Sequence, residues 1–163
     1  DNMSDRGFAL RILLELGEKE AQEVAKKAWV GHTIGCEQYI ATVSSVDSED
    51  TPALIRELIK EPFFELALAG HARTCSRAWC GNFKRSLLTK EGLELTKELF
   101  LTVGKVNQMS AYGFIGTFSL ANKFEKPVQD VLINALKEMR AGLDPKEQES
   151  LYSQTGRLLS GLE

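Results

Sequence analysis

The feature that most constrains this chain is a spacing. Apolar residues return at three- and four-residue intervals almost from end to end, and no stretch alternates with period two over the length of a strand. Ala9, Ile12, Leu13 and Leu16 fall at i, i+3, i+4 and i+7, which places them on one stripe of a helix. Ser4 is positioned to cap that helix and Gly17 to end it. Ala21, Val24, Ala25, Ala28 and Trp29 predict a second helix that breaks near Gly31, and Cys36, Tyr39, Ile40 and Val43 predict a third. Thr51-Pro52 reads as a start, a capping hydroxyl followed by proline at the first helical position, with Leu54, Leu58 and Ile59 as its stripe.

Pro62 interrupts the pattern, and Phe63 and Phe64 are expected to plug the core from a loop. Helical spacing resumes with Ala72, Cys75, Trp79 and Phe83, then with Leu95, Leu99, Val103 and Val106 in a long helix from about Thr89. Ala111, Phe114, Ile115 and Phe118 predict a helix over 107–120. Pro127 opens another, with Val128, Val131, Leu132, Ala135, Leu136 and Met139, and Gly142 stops it. Asp144-Pro145 restarts the chain for a last helix bearing Leu151, Leu158, Leu159 and Leu162. The class is therefore all-α, about nine helices in stacked antiparallel hairpins, forming a bundle or a curved α-solenoid.

The 163 residues are expected to form a single domain over 1–163. The opening Asp1-Asn2-Met3 lacks an initiator Met and a signal pattern, so the chain reads as a piece of a larger multidomain polypeptide. Net charge is −3, with no electrostatic footprint for nucleic acid, and no apolar run is long enough for a membrane span. Three cysteines cannot all pair, which points to a reducing compartment, the cytoplasm.

Chemistry is sparse. His32 and His71 are the only histidines, and neither belongs to an H-E-x-x-H zinc motif. Each reads as an exposed or locally bonded side chain. Cys75 and Cys80 are five apart, too far around a helix to chelate, and read as buried inert thiols. A nucleophile would need a base, and His71, one helical turn before Cys75, is the only candidate. Arg73, Arg77, Lys84 and Arg85 lie among Trp79 and Phe83, a combination that can bind single strands or simply form a solvated face or cleft wall. No catalytic residue and no metal ligand is assigned.

Several segments carry a resemblance. Asp1-Asn2-Met3-Ser4-Asp5-Arg6 resembles the Asn-Met-Thr-Asp-Arg stretch that begins a late segment of alanyl aminopeptidases, the aminopeptidase N family of zinc gluzincins. Gly35 to Ser45 stands in the place of the family's Met-Asp-Lys-Trp-Phe helix, with Tyr39 at its aromatic position. Glu61-Pro62-Phe63-Phe64 resembles His-Pro-x-Phe, and Arg77-Ala78-Trp79-Cys80-Gly81-Asn82-Phe83 resembles Arg-Ala-Leu-Ile-Gly-Ala-Phe. Asn107-Gln108-Met109-Ser110-Ala111 resembles Asn-Pro-Gln-Val-Ala, and the match is collinear over almost the whole chain.

The resemblance implies a non-catalytic C-terminal helical domain that caps the active-site cavity and restricts access to peptide N-termini. Its partner would be the catalytic domain of the same polypeptide, which would hold the zinc; this chain would hold no cofactor, and peptide substrates would reach it only through the parent. Of two family arginines that face the cavity, one corresponds to Arg77, while Gly113 stands in place of the other. The parent would be a zinc aminopeptidase, this chain inactive alone. The alternative from another class is a stand-alone HEAT- or armadillo-like scaffold for protein partners.

Overall fold

The computed structural model describes residues 2–163, and no strand occurs among them. The chain divides into two compact units, Asp1–Arg85 and Ser86–Glu163.

In the first unit, α1 (Met3–Glu15), α2 (Lys19–Trp29), α3 (Thr33–Ser44), α4 (Thr51–Leu58) and α5 (Ala69–Gly81) follow one another through short turns. The hub is α3, against which the other four pack. Its sequence explains that role: Cys36, Tyr39, Ile40, Thr42 and Val43 give it more than one buried face. Ile55 from α4 and Trp79 from α5 complete the core. Phe64 is buried from the loop after α4, as expected, and the Phe63 ring meets Tyr39 edge-on at 5.8 Å.

Three local expectations change. The cap of α1 is Asn2, whose Oδ1 accepts from the Asp5 amide at 2.9 Å, so Ser4 lies inside the first turn. Gly17 ends the helix region as read, at φ +84°. Thr51 is the first residue of α4 and does not cap it; its hydroxyl donates to the Val46 carbonyl at 2.6 Å. The stripe of α1 is the larger change. Gly7, Leu10 and Leu14 face the core, while Ala9, Ile12, Leu13 and Leu16 are exposed.

The four-residue α6 (Phe83–Ser86) lies at the division. In the second unit, α7 (Lys90–Gly104) is capped by Thr89, whose side chain accepts from the Gly92 amide at 3.1 Å. Leu95, Leu99 and Val103 are buried from it as expected, whereas Val106 lies beyond its end and is exposed. The stretch read as one helix over 107–120 is a short α8 (Gln108–Ala111) followed by 3₁₀ turns at Tyr112–Phe114 and Gly116–Lys123. Glycines at 113 and 116 weaken the α-helix there, yet Ala111, Phe114, Ile115 and Phe118 are all buried as the spacing predicts.

The chain then runs through α9 (Lys126–Ala141) to α10 (Glu149–Leu162). α9 packs against α7, α10 and the second 3₁₀ segment. Leu132, Leu136 and Met139 enter the core, but Val128 and Val131 do not. No helix among the described residues is long and apolar enough to cross a membrane.

Candidate functional site

Most of the residues singled out for chemistry lie on α5. Its inward face is His71, Ala72, Cys75, Ser76, Trp79 and Cys80, all buried, and it packs on α3. A helix that commits this much of its circumference to the core leaves only a narrow outward stripe, which here carries Arg73 and Arg77 one turn apart. Arg77 is exposed and its guanidinium takes no partner among the described residues; the same holds for Arg73. Two unneutralised guanidinium forks on one stripe can receive a carboxylate bidentately.

The basic and aromatic side chains do not form a shared surface for single strands. Trp79 is fully buried and has no face to offer a base, and Arg85 pairs with Asp47 at 2.8 Å. Lys84 and Phe83 are exposed on α6.

Cys75 and Cys80 are buried thiols, as read from the sequence. Cys75 does not face His71; its sulfur accepts from the Ser44 hydroxyl at 3.6 Å. Burial pushes its thiol up to about 11, so it stays protonated and unreactive at neutral pH. His71 instead approaches Cys36, with Nε2 3.7 Å from Sγ. The Glu65 amide donates to Nδ1 at 3.1 Å, so a neutral imidazole carries its proton on Nε2, toward the sulfur. Nε2 therefore cannot act as the base for Cys36 in that tautomer. The Phe64 ring lies 5.7 Å from the imidazole. Burial, and secondarily Glu37, also raises the Cys36 thiol. This contact joins residues 35 apart in sequence, a pairing that helix spacing alone cannot reveal.

His32 is exposed at the N-cap position of α3, where its carbonyl accepts from the Cys36 amide. All three cysteines are free and buried. Among the described residues, no three His, Cys, Asp or Glu side chains come together as a metal-binding group. In the second unit, Leu88, Leu93, Phe124, Pro127, Val128 and Val131 line an open groove of about 650 Å³ between α7 and α9. That is where the two valines read as core residues lie.

These features describe an all-α chain of packed helices whose cysteine thiols and His71 imidazole are held in the interior. The family described as a domain of unknown function, DUF3458_C, with ARM repeats, matches residues 1–149. The chain belongs to that family. The fold recurs in Legionella pneumophila aminopeptidase A, solved in complex with aspartic acid, at a TM-score of 0.81 and 18% identity. The likeness covers 95% of this chain and 19% of that one, so the chain spans about a fifth of the solved protein's length. No curated protein matches the sequence. The matched family and the shared fold agree with the all-helical architecture expected from the sequence.

Proposed function

We propose that this chain is the non-catalytic helical part of an aminopeptidase N-like zinc metallopeptidase of the cytoplasm. It packs against the catalytic domain of the same polypeptide, caps the active-site cavity and admits peptides by their N-termini. Zinc and the catalytic groups belong to that other domain. The observation that carries the reading is the recurrence of this fold, over 95% of the chain, inside a much longer aminopeptidase. The thiol of Cys75 is buried and protonated and the imidazole of His71 is engaged elsewhere, so these two do not form a nucleophile–base pair.

Arg77 is the residue assigned to the cavity wall. It is exposed on the face of α5 turned away from α3, and no carboxylate of the described chain neutralises it. In the parent it contributes a charge-assisted hydrogen bond to the backbone or C-terminal carboxylate of a bound peptide.

The test uses the longer polypeptide. Its coding sequence should carry G-x-M-E-N followed by H-E-x-x-H-x18-E upstream of Asp1. Arg77→Ala should raise KM for tripeptides and longer peptides about tenfold while leaving kcat and single-residue anilide hydrolysis near the parent values. A reading frame that begins near Asp1 overturns the proposal and leaves the armadillo-like scaffold standing. A KM unchanged at every peptide length removes Arg77 from the cavity.

A further inference from the structure

The apolar stripe of α9 is wider than its core contacts require. Leu132, Leu136 and Met139 are buried, whereas Val128 and Val131 on the same stripe are 36% and 55% exposed. With Leu88, Leu93 and Phe124 these valines line the groove of about 650 Å³ between α7 and α9. The whole groove lies within the second unit.

Charged groups make its two ends different. Lys97 Nζ lies 2.6 Å from a carboxylate oxygen of Glu138 and 2.8 Å from one of Glu94, so an ion pair ties α7 to α9 across the groove. The apolar lining comes before that pair on both helices, at Leu93 on α7 and at Val128 and Val131 on α9. The first turns of the two helices therefore lie together at the other end. Lys90 is exposed there, and its ammonium takes no partner among the described residues. Lys126, at the start of α9, is by contrast paired with Asp130 at 2.6 Å. From Lys90 to Lys97 the helix advances about 10 Å.

We infer that the α7–α9 groove is a binding site for a straight-chain monocarboxylate of medium length, a fatty acid, with its alkyl chain on the valines and leucines and its carboxylate on Lys90. Size, shape and charge select this occupant. The volume falls in the range of about 300–1,000 Å³ that small-ligand clefts occupy. The Lys97–Glu138 pair closes one end, so an occupant must terminate inside, as a methyl end does and a continuing peptide or helix does not. A peptide backbone would find few hydrogen-bond partners along a wall of Leu, Val, Phe and Pro, whereas an alkyl chain needs none. Of the two lysines that line the groove, Lys97 is already paired and Lys90 is free to meet an anion. The positive ends of the α7 and α9 dipoles reinforce it. The inference concerns only this surface and does not depend on the chain being part of a peptidase.

Equilibrium dialysis of radiolabelled decanoate, below its micelle concentration, against the polypeptide that carries these residues tests it. The expected result is one saturable site per chain, with affinity falling about two- to fourfold for each methylene removed. Lys90→Gln should weaken decanoate about fivefold and leave decanol, which has the chain without the charge, unchanged. Val131→Glu, at an exposed position, should weaken both ligands more than about tenfold. Val106→Glu, exposed beyond the end of α7 and outside the groove, should change neither. Absence of saturable binding overturns the inference, and so does decanoate binding that survives Val131→Glu, which would place the ligand on another apolar face. Lys90→Gln that leaves decanoate unaffected, or weakens decanol equally, overturns the carboxylate's place on Lys90. Binding retained in a polypeptide with no aminopeptidase activity leaves the inference standing and removes only the proposed function.

Discussion

Gly35 sets how closely α3 can begin beneath the end of α2. A Cβ at this position would lie 2.3 Å from the Trp29 carbonyl oxygen and 3.0 Å from its carbon, both backbone atoms that cannot rotate away. Gly35→Ala must therefore displace one helix against the other, with an expected loss of about 2 kcal/mol in urea unfolding. Gly31, four residues earlier, meets nothing within 4 Å. Gly31→Ala should stay within about 0.5 kcal/mol of the parent. Equal losses at the two sites would contradict this account of the α2–α3 junction. The two glycines look alike in sequence, both near a helix break, and only the approach of Trp29 separates them. The same limit applies to His71. Helix spacing offered Cys75 as its neighbour, but the side chain turns to Cys36 because the Glu65 amide fixes Nδ1 from the other side.

At the scale of elements, the junction of α7, α8 and α10 is held by two glutamines. Gln148 Nε2 donates to the Gly104 carbonyl at the end of α7, and its Oε1 accepts from the Asp144 amide, both at 2.8 Å. Gln108 Nε2 donates to the Glu147 carbonyl, and its Oε1 accepts from the Leu151 amide, each at 3.1 Å. Removing the first clamp in Gln148→Ala leaves a terminal carbonyl of α7 without its partner and should cost about 1–2 kcal/mol. Chemical denaturation should show that loss, with Ser153→Ala, an exposed position on α10, near zero. Most elements of this kind were legible because their apolar residues lie on one side. Leu95, Leu99 and Val103 leave no choice of face, and Phe114, Ile115 and Phe118 are buried even where the helix tightens to 3₁₀. α1 was legible as a helix but not in orientation, because it has apolar residues on two sides and periodicity cannot rank them. The cap at Asn2 was missed for a related reason: Asn2 and Ser4 are both good capping residues two positions apart, and the choice depends on where the first turn closes. The exposure of Arg77 follows once Trp79 and Cys75 turn the opposite face of α5 inward. Val128 and Val131 were placed in the core because they continue the stripe of α9, which proved wider than the surface α7 offers it.

For the molecule as a whole, the shifted groups make a single prediction about pH. The thiols of Cys36 and Cys75 and the hydroxyl of Tyr39 are all raised, in each case chiefly by burial. Lys26 is raised first by its bond to Glu23 and then by Glu61, and Lys97 by Glu138 and then Glu94. Every one of these groups holds its proton more tightly in the folded chain than in the unfolded one. The stability they confer is therefore complete at neutral pH and is lost as pH rises past their unfolded values. The lysine pairs are accessible to water and screened, so they contribute little. Cys75 is the large contributor, since its thiol moves from 9.0 to about 11. Across that interval the unfolded chain ionises at Cys75 and the folded chain does not, which removes about 3 kcal/mol. On the acid side, Asp144 is lowered by the Glu147 and Lys146 amides, so its contribution is present above its unfolded value and fades as pH falls. It is fully exposed and makes a shallow limb. The stability profile should thus be steeper above pH 9 than below pH 5. Melting in a phosphine reductant from pH 7 to pH 11 should show the fall, and Cys75→Ala should flatten the part between 9 and 11 even if its starting stability is lower. An alkaline slope identical in parent and variant would mean that the Cys75 thiol ionises as readily inside the fold as outside it, which a buried sulfur bonded by the Ser44 hydroxyl should not do.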